Sequence, residues 1–140
     1  EQFKRVLAMD ENFVGTYSWL TSTLALQGKE AEAYDWFKKL LAYRKVNEET
    51  FRVFENAFQT SGWRGIWREW IRRFDTIGGI TFDGALYNAQ LGNRDEAFKY
   101  LEKVYEQRGI WMAYLRVEPR LDPLRDDPRF QDLLKRVEGR

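Results

Sequence analysis

The sequence predicts an all-α fold, a superhelical stack of antiparallel helix hairpins closed by a C-terminal capping helix. Three observations carry that expectation. Apolar residues recur at helical spacing along most of the chain, glycines stand between successive stripes at Gly28, Gly62 and Gly92, and no segment alternates with period two for long enough to argue a strand. All three prolines, Pro119, Pro123 and Pro128, lie near the C-terminal end, so nothing breaks the helices before it.

Taken in order, "FKRVLAMDENF" reads as the second helix of an earlier repeat, covering residues 1–12 and expected to be cut from a longer chain. Its stripe of Phe3, Val6 and Leu7 lacks the helix it should pack on, which predicts self-association as a homodimer through that segment. The first full repeat, 13–46, places Val14, Tyr17, Leu20 and Leu24 on one helix and Ala33, Phe37, Leu40 and Leu41 on the next. Gly28 between them leaves almost no spacer and forces an antiparallel hairpin.

Asn47 ahead of Glu48 and Glu49 reads as a helix start, a capping amide followed by carboxylates at the positive end of the dipole. The repeat it opens, 47–77, carries Phe51, Phe54 and Phe58, turns at "TSG", and continues with Trp63, Ile66, Trp67, Trp70, Ile71 and Phe74. A third hairpin, 78–108, runs from "FDGALYNAQLG" through Gly92 and Asn93 into a helix striped by Ala97, Leu101, Val104 and Tyr105.

Residues 109–140 are expected to cover the apolar end that such a stack leaves exposed. Asp122 before Pro123, and Asp127 before Pro128, each read as an N-cap followed by proline at the first helical position, where its missing N–H costs nothing. The second start launches a helix whose Phe130, Leu133, Leu134 and Val137 can lie on the helix carrying Leu101 and Val104. A rival reading gathers Asp122, Asp126 and Asp127 around a cation, or Arg120, Arg125 and Arg129 around a phosphate. Capping accounts for the aspartates without a ligand, and no calcium-loop spacing is present.

The order Tyr17, Leu20, Gly28, Ala33, Phe37, Leu40 resembles the tetratricopeptide repeat, and Ala85, Gly92, Ala97 and Leu101 occupy matching places in the third unit. A small residue at Ala33 lets two helix backbones approach while aromatics fill the space beside it. The middle unit departs from the pattern, with Glu55 and Trp67 where small residues are usual and a shorter interval from Gly62 to Gly92 than from Gly28 to Gly62, so a changed packing angle is expected there. The stretch from "SGWRGIWREWIRRF" to "DPRFQDLLKRV" further resembles the C-terminal tetratricopeptide region of bacterial multidomain regulators, which follows winged-helix DNA-binding, adenylate cyclase or serine/threonine kinase domains. The resemblance implies a non-enzymatic module for protein–protein interaction in signalling or transcription regulation. Its alternatives are a sensor of a small ligand or peptide that controls an upstream output domain, and a purely structural or dimerising unit.

Composition narrows the chemistry. With 23 basic against 22 acidic side chains, no global field draws in nucleic acid or an anionic membrane, and the expected partner is a protein or peptide. Neither cysteine nor histidine is present, so Ser18, Ser22 and Ser61 lack a usual activating base, no thiolate or imidazole metal site is available, and no G-x-x-x-x-G-K loop cradles a phosphate. No enzyme activity, cofactor or metal is expected. No apolar run approaches a membrane span. The expected location is cytoplasmic, or periplasmic if the parent protein carries a membrane segment upstream.

In tetratricopeptide arrays the first helix of each repeat lines a concave groove. The resemblance therefore implies a partner-binding groove of Ser18 and Ser22, of Arg52, Asn56 and Gln59, and of Phe82, Leu86 and Gln90. Arg52, Asn56 and Gln59 recur at i, i+4 and i+7, putting a cation and two amides on one face suited to a peptide carboxylate or backbone, against the alternative of an ordinary solvated face. A second candidate is a docking stripe of Arg64, Arg68 and Arg72 with Arg73 beside it. Its interleaved Trp63, Trp67 and Trp70 belong to the buried side, so stacking platform and charge would not share a nucleic-acid groove. Trp36 and Trp111 fall outside the repeat pattern and are expected either to anchor an interface or to fill gaps between helices.

Overall fold

Four helices end in the same way, and that shared ending sets the chain's turns. In the computed structural model, which describes the backbone of residues 14–77 and 81–139 and side chains from Thr16 to Arg73 and from Thr81 to Gly139, these helices are α1 (Val14–Leu26), α2 (Glu30–Tyr43), α4 (Phe82–Leu91) and α5 (Arg94–Glu106). The residues just past them, Gly28, Lys45, Gly92 and Arg108, all have left-handed φ, at 74°, 51°, 84° and 54°. In each case the next amide reaches back five residues: Lys29 to Leu24 O (2.9 Å), Val46 to Leu41 O (3.2 Å), Asn93 to Asn88 O (2.9 Å) and Gly109 to Val104 O (2.9 Å). This is the Schellman closure, which satisfies carbonyls that a helix end otherwise leaves open.

The remaining elements are α3 (Glu48–Ile77), two short 3₁₀ segments (Ile110–Tyr114 and Pro119–Leu124) and α6 (Pro128–Glu138). Among the described residues every regular element is helical, as the periodicity predicts. The chain divides into two compact units, Glu1–Ile66 and Trp67–Arg140. The residues 1–12 that carry the expected truncated helix, with Phe3, Val6 and Leu7, lie outside the described residues, as do the side chains of Val14 and Phe74.

In the first unit, α1 and α2 pack as a hairpin about Gly28. Tyr17, Leu20 and Leu24 are buried on α1, and Ala33, Tyr34, Phe37, Leu40 and Leu41 on α2. Asn47 caps α3 as its sequence position suggests, its Oδ1 accepting from Thr50 N at 2.8 Å. Gly62 then breaks α3 with φ 58° and ψ −147°, and the chain folds back so tightly that a Cβ on Gly65 would stand 2.1 Å from the Ala57 carbonyl oxygen. The turn expected at "TSG" therefore falls at Gly62. Aromatic rings close the core: Tyr34 stacks on Phe58 at 4.0 Å, and Phe37 meets Phe54 and Trp63 edge-on at 5.2 and 5.7 Å.

In the second unit, α4 starts at Thr81, whose hydroxyl accepts from Gly84 N at 3.3 Å, and packs on α5 about Gly92. Ala85, Ala89, Ala97, Leu101 and Val104 join Phe130 and Leu133 of α6 in one core, with Leu134 and Val137 partly buried against it. The terminal helix therefore covers the stripe of Leu101 and Val104, as the amphipathic pattern of α6 predicts. Asp127 caps α6, its carboxylate accepting from Arg129 N at 3.0 Å with Pro128 in the first turn.

The other expected start is displaced. Asp122 and Pro123 lie inside the 3₁₀ segment Pro119–Leu124, and its cap is Glu118, whose carboxylate accepts from Arg120 N at 3.0 Å. In 3₁₀ geometry the Pro123 nitrogen would donate to the Arg120 carbonyl, and proline has nothing to donate. The Gln90 side chain donates to that carbonyl instead, at 2.8 Å from α4.

Candidate functional site

The groove residues implied by the tetratricopeptide resemblance separate according to their unit. In the first unit they stay on the surface: Arg52, Asn56 and Gln59 are exposed together on the arm of α3 before Gly62, and Ser18 and Ser22 on α1 are half-buried. An open concavity of about 470 Å³ lies over the start of that arm, lined by Glu48, Glu49, Arg52, Val53 and Asn56. Arg52 is not idle there, since it pairs with Glu48 one turn earlier. Both partners are exposed, so the pair contributes only about 0.3–0.5 kcal/mol.

In the second unit the implied groove is not a surface. Phe82 and Leu86 are buried in the core with Ala85 and Ala89, and Gln90 is used on the Arg120 carbonyl. The groove expectation is corrected for the buried Phe82 and Leu86, while Gln90 stays half-exposed. The helix that would line a groove is overlaid by the 3₁₀ segment Pro119–Leu124, which packs directly on α4.

That segment is held by an ion pair taken out of water. Arg120 forks onto Glu118 through Nε at 2.7 Å and Nη2 at 2.9 Å, with both residues buried. Burial acts to lower the Arg120 pKa, and the Glu118 carboxylate, joined by Tyr87 and Asp83, more than offsets it, so the guanidinium is held charged. Arg125 adds a bond to the Glu118 carbonyl at 3.1 Å and takes Asp122 at 2.6 Å. Asp126 meets Arg94 at 3.1 Å, while Arg129 bridges Asp127 and Asp95, each at 2.8 Å. The acids thus pair one by one with arginines, and no cluster of three metal-ligating side chains forms among the described residues. Two of these pairs, Arg94–Asp126 and Arg129–Asp95, tie the C-terminal segment to α5.

On α3, Arg64 in the first unit and Arg68 and Arg72 in the second are exposed, which fits the outer placement expected for them. Arg72 is engaged with the nearly buried Glu69 at 2.7 Å, and Arg73 approaches the same carboxylate at 3.3 Å. This engagement raises the Arg72 pKa through its hydrogen bond to Glu69, and marks Arg72 as a partner of its own helix. Trp63 is buried as expected, whereas Trp67 and Trp70 are only partly so.

The chain shows a feature the groove reasoning does not supply. Between α5 and the second 3₁₀ segment, Ile110, Trp111, Tyr114 and Val117 are exposed at 78%, 46%, 46% and 67%. Trp111 and Tyr114, one 3₁₀ turn apart, stand side by side with ring centres 5.8 Å apart. Next to them opens a cavity of about 660 Å³ lined by Tyr105, Arg108, Ile110, Met112, Ala113 and Val137 together with Gly109 and Glu138. The signal for it in the sequence is "GIWMAYL", an apolar run with no helical stripe, of which only Trp111 stood out. Trp36, the other tryptophan outside the pattern, is partly buried against Tyr17 at 6.0 Å with the Lys39 ammonium 3.9 Å above its ring.

Compared with protein-family models, with curated proteins and with solved structures, the chain matches none.

Proposed function

We propose that this chain is a non-enzymatic protein-interaction module of tetratricopeptide type, part of a larger bacterial signalling or transcription-regulating protein. It holds a peptide or partner domain on the polar face of α3. The observation that carries the reading is the exposure of Arg52, Asn56 and Gln59 along one helix face beside an open concavity, on an element fixed from behind by the buried Phe54. A guanidinium exchanges its weak surface partner for a peptide carboxylate, and the two amides satisfy backbone N–H and C=O groups in either direction. A rigid apolar back and a polar front hold such groups in place before binding, which lowers the ordering cost of association.

The test is a random-peptide display screen of the chain beside a variant carrying Arg52→Glu, Asn56→Ala and Gln59→Ala, once both are shown to melt alike. Enrichment that disappears in the variant supports the reading and supplies a partner motif. Enrichment unchanged by the substitutions, or absent from both proteins, defeats the assignment to this face.

A further inference from the structure

The geometry points to a second binding surface, on the segment between α5 and α6, whose occupant is a segment of a partner protein that carries large apolar side chains flanked by carboxylates. It lies wholly in the second unit and does not depend on the α3 face.

Three observations converge on it. First, four large apolar side chains, Ile110, Trp111, Tyr114 and Val117, are left in water within one short stretch, although the same stretch buries Met112 and Leu115 in the core. Exposed apolar residues gathered this closely mark interaction surfaces, and tryptophan and tyrosine are the residues that anchor them. Second, the stretch is held in place from behind. Met112 N donates to Gly109 O and Leu115 N to Met112 O, each at 3.1 Å, and Gly109 lies so close to α5 that a Cβ there would stand 2.6 Å from Val104 Cγ1. The exposed rings therefore stand on a fixed backbone.

Third, the cavity beside the rings offers one charged group that is not already in an ion pair. Of the two ionisable groups of opposite charge that line it, Glu138 is engaged by Arg116 through Nε at 2.9 Å, while Arg108 has no ion pair among the described residues. Glu106, two residues before Arg108, does not line the cavity. The negative end of α5 favours a cation at Arg108 but leaves its guanidinium donors available. Apolar Ile110, Met112, Ala113 and Val137 lining one cavity with an available guanidinium are complementary to apolar side chains next to a carboxylate. A cavity of about 660 Å³ would suit a small molecule as well. The ridge of Trp111, Tyr114 and Val117 outside the cavity needs a longer occupant to cover it, and a polypeptide segment supplies one.

The probe is a pooled library of short peptides, each bearing several Leu, Ile, Phe or Trp residues, divided into sub-pools whose charged residues are only Asp and Glu, only Lys and Arg, or absent. The full chain is screened beside Arg108→Glu, Arg108→Gly, Ile110→Ser and Arg52→Glu. The acidic sub-pool should be enriched, and Arg108→Glu should weaken its best members by about tenfold. Arg108→Gly should weaken them roughly fivefold while relieving the left-handed backbone at that residue, so its loss of binding cannot be blamed on unfolding. Arg52→Glu should leave these peptides untouched, which separates this surface from the α3 face. Equal enrichment of the three sub-pools, acidic binders indifferent to Arg108→Glu, or no enrichment at all overturns the proposal. So does sedimentation showing that Ile110→Ser abolishes self-association of the peptide-free chain, because the occupant is then a second copy.

Discussion

The four Schellman closures make a prediction whose sign depends only on which residue stands at the left-handed position. At Gly28 and Gly92 no heavy atom lies within 4 Å of where a Cβ would go, so Gly28→Ala or Gly92→Ala introduces no clash. What remains is the backbone term, a left-handed conformation imposed on an L residue, which costs about 1–2 kcal/mol. Lys45 and Arg108 already bear that cost, so Lys45→Gly and Arg108→Gly should stabilise their units by about 0.5–1 kcal/mol, the gain being reduced by the extra freedom glycine gives the unfolded chain. Gly62 is different in kind. Its ψ of −147° lies outside the left-handed helical basin, and a Cβ would stand 2.6 Å from the Glu30 carboxylate oxygen that accepts from Trp63 N at 3.0 Å. Backbone strain and loss of that cap together put Gly62→Ala at about 3 kcal/mol. Urea and thermal unfolding, followed by tryptophan fluorescence and far-UV circular dichroism, would read these differences as roughly 4–8 °C per kcal/mol for units of this size. The reasoning fails if Gly28→Ala costs as much as Gly62→Ala, or if Lys45→Gly and Arg108→Gly destabilise.

Two further perturbations probe the C-terminal segment. Glu118→Gln leaves the Arg120 guanidinium buried without its counter-charge and should cost about 3–5 kcal/mol, whereas Glu118→Gln combined with Arg120→Met should recover most of it; denaturation of the three proteins checks this, and a double variant no better than the single one refutes it. The Asp127 carboxyl is lowered from 3.8 to about 2, first by its hydrogen bond from the Arg129 side chain and further by the Arg129 amide and the Arg94 charge. Because the folded state holds this pKa below the unfolded value, the cap's contribution is complete above about pH 4 and is lost as pH falls toward 2. Unfolding midpoints measured across that window should fall more steeply for the natural chain than for Asp127→Asn, and parallel curves would count against the cap.

The helices and their turns were legible because each rests on signals within a few residues of itself. Tyr17, Leu20 and Leu24 repeat at a spacing only a helix satisfies, Asn47 caps with its own side chain, and glycine at positions 28, 62 and 92 reports a positive φ directly. The start of the second 3₁₀ segment was misplaced because Asp122–Pro123 and Asp127–Pro128 carry the same local signal, and only Asp127 follows through as a cap. Glu118 takes the other role by pairing with Arg120, and a buried pair of this kind is decided by the tertiary packing that desolvates it, not by any residue next to it in sequence.

Tertiary packing likewise decides which side of α4 meets water. Phe82 and Leu86 occupy helix positions that the repeat pattern leaves open for a ligand, and what sets them apart from Arg52 and Asn56 on α3 is their polarity. That difference was the informative one. Apolar side chains at outward positions imply that something covers them, and the chain covers Phe82 and Leu86 with its own 3₁₀ segment, whose proline-freed carbonyl is satisfied by Gln90. The segment that fills this place exposes a different apolar set a few residues earlier, at Ile110, Trp111, Tyr114 and Val117, where the described residues supply no cover. Outward polarity on the α3 arm before Gly62 belongs to the first unit, and outward apolarity at 110–117 to the second.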